Sequence, residues 1–330
     1  MNPGGQQADR VESTAVPDAS GTERRIRVLI NPKSGVHGIG IGLLKAFEKH
    51  WTAPDADLTY QLSRSVEDGR RKTLHAVREG VDSVIAVGGD GMVNTVGSIL
   101  AKTPVSLGVV PAGSGNGFAR HFAVPLEWED AVRSLATAQP QSIDVGTANG
   151  RPFFVTCSMA ADAAIIKTFE KLPVRGILPY VLAAAYGWFE YVPQPFEVVL
   201  DGGAPMAFPD PLVFTVANLT QFGGGAKIAP KACPDDGFLE LVVIPRTEAP
   251  RLLGSLNRIF DGTLDEMPEV HSYRFQHMIV RRAKAAPIQV DGELVEAPAE
   301  VEISVLPRSL RVLVPAAPPP AALDAAPHGW

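Results

Sequence analysis

Apolar and polar positions along the first third of the chain switch between two periods, and the switches lay out an order of strands and helices. Residues 25–30 pass from charged to continuous aliphatic positions and stop at Asn31-Pro32, as a first strand followed by a loop would. Residues 41–51 carry apolar side chains at helical spacing, 58–62 alternate as a strand, and 67–79 return to a helical period. An apolar run over 81–87, a helix over 92–101 and an apolar run over 105–110 ending at Pro111 complete the series. This alternation over the first 135 residues predicts a parallel sheet covered by helices on both faces. Ligands are then expected beyond the carboxyl ends of the strands.

After Asp144 the texture changes. Short β-like runs at 153–156, 196–200, 213–218, 239–244, 272–280, 288–290 and 301–305 are separated by Gly, Pro and Asp, which predicts a second, mainly β domain. Its helical interruption spans 161–191, with Lys167, Lys171 and Arg175 first and an apolar stretch over 177–189. That stretch is too short to cross a bilayer of about 30 Å. It is expected as a core helix, or as a wall that meets acyl chains or a membrane surface. The expected organisation is a polar tail over 1–23 without a signal pattern, an α/β domain over 24–145, a β-rich domain over 146–314 and a Pro/Ala-rich tail over 315–330. The return of the last β segment to the first domain is left open.

The 330 residues carry 30 Lys and Arg against 36 Asp and Glu, and a net charge of −6 argues against a nucleic-acid partner. The two cysteines, Cys157 and Cys233, have no His or Cys at metal spacing and fit a reducing cytoplasm.

Candidate chemistry sits in three glycine-bearing turns, each after a predicted strand: Asn31-Pro32-Lys33-Ser34-Gly35, Gly88-Gly89-Asp90-Gly91 and Gly113-Ser114-Gly115-Asn116-Gly117. Small residues there let a phosphate approach the main chain, and Asp90 adds a carboxylate at the sheet edge. The dinucleotide fingerprint fails, because Leu43 and Phe118 stand where its last glycine belongs, and no GxxxxGK[ST] is present. Asp291-Gly292 lies between two strand-like runs and reads equally as a hairpin turn.

The ordered set NPKSG (31–35), GGDG (88–91) with Asn94 after it, PAGSGNGFAR (111–120), IDVG (143–146), GGGAKIAPKACPDDG (223–237) and VDGE (290–293) resembles the diacylglycerol-kinase-type lipid kinases, a family that includes sphingosine and ceramide kinases. The match runs from about Ile26 to Leu313. It implies an α/β nucleotide domain like that of phosphofructokinase and NAD kinase, then a mainly β domain, with ATP and lipid meeting between them. It places Asn31, Pro32, Ser34, Gly35, Gly88, Gly89, Asp90, Gly91, Asn94, Gly113, Ser114 and Asn116 at the nucleotide. Asp291, Gly292 and Glu293 match the DGE motif, where the Asp is a candidate general base and the Glu helps to hold Mg²⁺. Asp90 is the second candidate base. Asp144 matches an acidic-network residue that joins Asp90 near the metal. A separate structural Mg²⁺ would take the Asp236 carboxylate and the carbonyls of Cys233 and Phe238.

Chemically the set suffices, since phosphoryl transfer needs positioning and charge neutralisation more than covalent chemistry. The implied reaction is ATP- and Mg²⁺-dependent phosphorylation of a diacylglycerol, ceramide or sphingoid base, by a cytoplasmic protein that touches the membrane transiently. A homodimer is left open. NAD kinase, which shares GGDG, and a nucleotide-binding membrane protein without turnover are the alternatives. Four departures from the family pattern bear on the lining of the site: Met92 for Thr, Thr95 for Glu, Gly117 for Asp, and 157–162 for a Gly-containing segment.

Overall fold

The computed structural model of the protein describes residues 24–34, 40–51, 56–161, 194–222, 224–246 and 257–316. In chain order the first elements are β1 (Arg24–Ile30), α1 (Gly40–His50), β2 (Ala56–Leu62), α2 (Val66–Glu79), β3 (Ser83–Gly88), α3 (Asp90–Leu100), β4 (Ser106–Pro111), α4 (Gly117–His121) and α5 (Trp128–Ala136). Then come β5 (Gln139–Ala148), β6 (Arg151–Phe153), β7 (Thr156–Ser158), β8 (Phe196–Leu200), β9 (Met206–Phe208), β10 (Pro211–Ala217) and β11 (Leu239–Pro245). The chain continues through α6 (Asn257–Asp261), β12 (His271–Phe275), β13 (His277–Arg282), β14 (Ile288–Val290), β15 (Glu293–Val295) and β16 (Glu300–Val314).

Strands β2, β1, β3 and β4 are parallel neighbours in that order. Every residue of β3 and β4 is buried, as expected of strands covered on both faces. Local chemistry sets the helix ends: Ser65 accepts the Asp68 N–H at 3.1 Å to start α2, and Gly80 at φ 70° closes it in the left-handed region. Helix α1 is held by Phe47, Trp51 and Tyr60 ring contacts, with the Trp51 indole N–H donating to Val132 O at 3.0 Å.

The parallel sheet does not stop at β4. Strand β16 pairs parallel with β4 through Arg311 and Val312, and antiparallel with β13 through its first half, so one 10-stranded sheet runs through both halves of the chain. Strand β5 pairs with β16 along its length except for a shift between Leu306 and Leu310, where Arg308 takes φ 48°. The last β segment therefore returns to the first sheet, and the expected boundary at 145/146 falls inside β5. A second, 6-stranded sheet contains β12, β11, β10, β7, β14 and β15.

Two expected strands are broken. The run 272–280 is two strands in different sheets, turned at Gln276, where Asp201 Oδ1 accepts the N–H groups of Gln276 and His277. The run 153–156 splits between β6 and β7, which leaves the N–H groups between them for a side chain. Of the helix expected over 161–191 only residue 161 lies among the described residues; Lys167, Lys171, Arg175 and the apolar stretch lie outside them.

Candidate functional site

Strands β1, β3 and β4 end side by side, and the three glycine turns follow them at one edge. Asn31 N–H donates to Val87 O at 3.0 Å and Ala112 N–H to Gly88 O at 2.9 Å, which ties each turn to its neighbour. The second and third turns touch through backbone: a Cβ on Gly113 would lie 2.6 Å from Gly89 Cα, so a side chain there would separate them. A Cβ on Gly88 would meet Met92 Cβ at 2.7 Å and Ser34 Oγ at 3.4 Å, which brings the first turn to the second. Gly35 lies outside the described residues, and Ser114 is exposed at the tip of its turn.

Some polar residues expected at the nucleotide are spent on the turns themselves. Asn31 Oδ1 accepts the Lys33 N–H at 3.0 Å. Asn116, at φ 52°, accepts the Gly113 N–H at 3.0 Å and returns a bond to the Gly113 carbonyl at 2.8 Å. Asp90 accepts the Gly117 and Phe118 N–H groups, both at 3.0 Å, and so fastens the second turn to the start of α4. Burial raises the Asp90 pKa, against the lowering effect of those N–H groups.

The Asp-Gly-Glu turn reaches this edge from the second sheet. It is a two-residue hairpin between β14 and β15, with Asp291 at φ 47° and Gly292 at φ 90°, so the hairpin reading and the site reading hold together. The Asp291 carboxylate is buried and accepts four hydrogen bonds: Phe154 N–H at 2.9 Å and Asn94 Nδ2 at 2.7 Å on Oδ2, Val155 N–H at 2.8 Å and Thr156 N–H at 3.2 Å on Oδ1. The Phe154 and Val155 N–H groups are those that the break between β6 and β7 sets free, and Thr156 is the first residue of β7. Burial nevertheless pushes the carboxyl up to about 6, against the lowering effect of its donors.

Asn94, expected at the nucleotide, is engaged as a brace. It spans α3 and the β14–β15 turn, and its Nδ2 also donates to Pro152 O at 3.1 Å. Glu293 stands at the rim, with Oε1 3.8 Å from where a Cβ on Gly91 would sit and Oε2 paired with Arg151 at 2.8 Å. Arg151 was not singled out from the sequence. Its signal is positional only, three residues before the segment that holds Asp291.

Asp144 goes elsewhere. Its carboxylate accepts Gly237 N–H at 2.6 Å and Arg308 N–H at 2.7 Å, and its own N–H donates to Pro234 O at 2.6 Å. Each of Asp90 and Asp144 is committed to backbone of a different segment, and among the described residues no three His, Cys, Asp or Glu side chains form a metal-binding group. The expected structural cation site does not fit: Asp236 pairs with Arg274 through Oδ2 and accepts the Phe238 N–H at 3.0 Å through Oδ1. The Arg274 guanidinium, stacked 4.5 Å over the Phe238 ring, supplies the positive charge there. The rim fits a cation better, since Mg²⁺ is held by one or two carboxylates together with substrate phosphates, and Glu293 offers one carboxylate oxygen.

Three of the four departures from the family pattern sit in tight packing. A Cβ at Gly117 would lie 2.6 Å from the Phe222 carbonyl, so no acid fits there. Thr95 returns its hydroxyl to Gly91 O at 2.8 Å and presses its methyl toward Gly69 of α2. Met92 is buried over Gly88.

Two family models match the chain, the diacylglycerol kinase catalytic domain over residues 25–148 and the YegS C-terminal NAD kinase beta sandwich-like domain over 155–314. The chain is 28% identical over 298 residues to a diacylglycerol kinase of Mycobacterium tuberculosis, covering 88% of this chain and 95% of that protein. It is 30% identical over 255 residues to a "Probable lipid kinase YegS-like" of Pectobacterium atrosepticum, covering 75% and 83%. A crystal structure of a diacylglycerol kinase from Bacillus anthracis superposes with a TM-score of 0.64 at 19% identity, over 88% of this chain and 97% of that one, and shares the fold.

Proposed function

Since the chain belongs to the diacylglycerol-kinase-type lipid kinases, and is a phosphotransferase on that ground, we propose that it transfers the γ-phosphoryl group of ATP, with Mg²⁺, to a hydroxyl of a membrane lipid. The acceptor is a diacylglycerol, a ceramide or a sphingoid base. The observation that carries this reading is the 2.7 Å bond from Asn94 to Asp291, which sets the Asp-Gly-Glu turn beside the glycine turns although the two lie at opposite ends of the chain.

At the start of α3 the Met92 and Val93 N–H groups donate to Gly89 O, at 2.9 and 3.2 Å, which leaves the Gly91 N–H to meet a phosphate at this edge. Mg²⁺, when bound, would neutralise charge on the transferred group, and Glu293 would hold it. Asp291, poised at about 6, is the proposed base for the lipid hydroxyl. A carboxylate offers about four lone-pair directions. All are used here, so one donor yields when the hydroxyl arrives. The 3.2 Å Thr156 bond is the longest of the four. A lipid acceptor also requires transient contact with a membrane surface; among the described residues no helix is long and apolar enough to cross one.

The test is incubation of purified protein with radiolabelled ATP, Mg²⁺ and a panel of vesicle-borne diacylglycerol, ceramide and sphingoid base. Label in one lipid is expected. Label in none of them, with transfer to NAD instead, assigns the alternative kinase; ATP binding without any product removes the catalytic reading.

A further inference from the structure

A cavity of about 370 Å³ opens beside the nucleotide edge, between Arg120 and His121 at the end of α4, Thr220 and Lys227 beyond β10, and Asp261 and Gly262 at the end of α6. Among the described residues, none from the three glycine turns or from the Asp-Gly-Glu turn lines it. Its volume equals about twelve liquid waters at ~30 Å³ each, room for a tetrahedral anion together with the group it is attached to.

The lining is built to donate. Arg120 gives its Nε–H to Gly115 O at 3.1 Å, which anchors the side chain and leaves the terminal nitrogens of its fork. Lys227 runs across Gly262, with Cδ 3.0 Å and Nζ 3.3 Å from where a Cβ would be, so this glycine, at φ 77°, is what lets the ammonium lie there. Among the described residues neither cation is paired with a carboxylate. Among the described residues Asp261 is the one acid lining the cavity, and it takes a bond from Asn257 Nδ2 at 3.4 Å.

His121 adds a neutral donor. Its Nδ1 lies 3.1 Å from Thr220 Oγ1 and accepts the Thr220 N–H at 3.4 Å. A backbone N–H can only donate, so the ring proton belongs on Nε2, which has no partner among the described residues. Burial lowers this imidazole to about 4, so it stays uncharged at neutral pH.

We propose that this pocket is a second phosphate site, separate from the nucleotide edge, which takes a phosphate monoester on Arg120, Lys227 and His121 Nε2–H. A guanidinium fork, a point ammonium and an uncharged N–H from three segments match the several oxygens of a phosphate better than the two of a carboxylate. The anion is either free in solution or carried on a lipid. Arg120 also holds Gly115, so occupancy bears directly on the third glycine turn.

The experiment uses the full chain with Mg²⁺ and a non-hydrolysable ATP analogue at saturation, so that the nucleotide edge is filled. Inorganic phosphate and glycerol 3-phosphate are titrated calorimetrically at constant ionic strength. Binding is expected in the presence of the analogue, about ten-fold weaker in Lys227→Gln and restored in Lys227→Arg, a drop worth about 1.4 kcal/mol. Analogue affinity in Lys227→Gln is expected to stay within about two-fold of wild type. Co-sedimentation with phosphatidic acid against phosphatidylcholine vesicles separates the sources. Loss of the phosphatidic acid preference in Lys227→Gln assigns a lipid headgroup, and an unchanged preference beside weakened soluble binding assigns free phosphate. Equal phosphate affinity in wild type and Lys227→Gln, or displacement of phosphate by the analogue, overturns the proposal.

Discussion

Replacing Asn94 by Ala removes one of the four donors on Asp291 and nothing else from its carboxylate, which makes it the sharpest test of that group. A hydrogen bond to a charged partner contributes about 1.5–3 kcal/mol, and one pKa unit corresponds to 1.36 kcal/mol, so loss of this bond raises the carboxyl by roughly 1–2 units. From about 6 in the native protein it moves to roughly 7–8. If the ionised carboxylate is the base, transfer at pH 7 falls roughly two- to ten-fold while the plateau near pH 9 is largely kept. The assay is the pH dependence of kcat/KM for lipid phosphorylation, whose acid limb is expected to shift upward by that amount. A uniform loss at every pH, with the acid limb unmoved, would refute the assignment of Asp291 as base and leave Asn94 a packing brace alone.

The same carboxyl predicts a pH dependence of stability. Its folded pKa, about 6, lies above the ordinary 3.8, so between these values the folded chain keeps a proton that the unfolded chain has released; this favours folding at the acid end, and the advantage is lost as pH rises through about 6. Urea unfolding is expected to show a decline on the order of 3 kcal/mol across that window, absent in Asp291→Asn; an unchanged slope in the variant would remove the assignment. In Gly97→Ala the new methyl lies 2.8–3.2 Å from the Phe154 ring, next to the N–H that holds Asp291. Overpacking of this kind costs about 1–3 kcal/mol, so a drop in Tm with a fall in kcat is expected, and full activity at native stability would contradict the packing. At the Asp236 turn, EDTA is expected to leave the Tm of the nucleotide-free protein unchanged, whereas Arg274→Met makes Tm respond to added Mg²⁺; a chelator-sensitive wild type would show that a cation, and not Arg274, balances Asp236 there.

How much of this was legible in the sequence depends on the range of the interaction. The continuous apolar runs of β3 and β4 and the glycines after them are local signals, and they predicted both the parallel sheet and the edge where the turns meet. The fate of the polar residues is not local. Asn94 and Asp291 lie 197 positions apart, and no periodicity in either segment says that one side chain ends on the other. Asp144 was matched to an acidic network by motif, yet Gly237, 93 residues away, and Arg308, 164 away, decide its role. The run 153–156 read as a strand because its side chains are mostly apolar; a carboxylate from the β14–β15 turn takes the N–H groups of Phe154, Val155 and Thr156, and strand propensity is silent about that.

The bonded acids also explain how a motif can point to a region while long-range contacts decide the partners of each carboxylate. Phosphoryl transfer asks for exact placement of loops more than for reactive groups, and buried carboxylates that collect backbone N–H groups are an efficient way to fix loops. Asp90 fastens the second turn to α4, Asp144 fastens β5 to the segment around Gly237, and Asp291 fastens the second sheet to α3 through Asn94. Burial raises the carboxyl of Asp90 and pushes that of Asp291 up to about 6. Glu293, half-buried at the rim, holds one oxygen toward Gly91 and the other to Arg151. The acids that resemble a catalytic cluster in the sequence are therefore mostly fasteners, and the groups proposed for the reaction are those left at the edge: the Gly91 N–H, Glu293, and Asp291 once a donor yields.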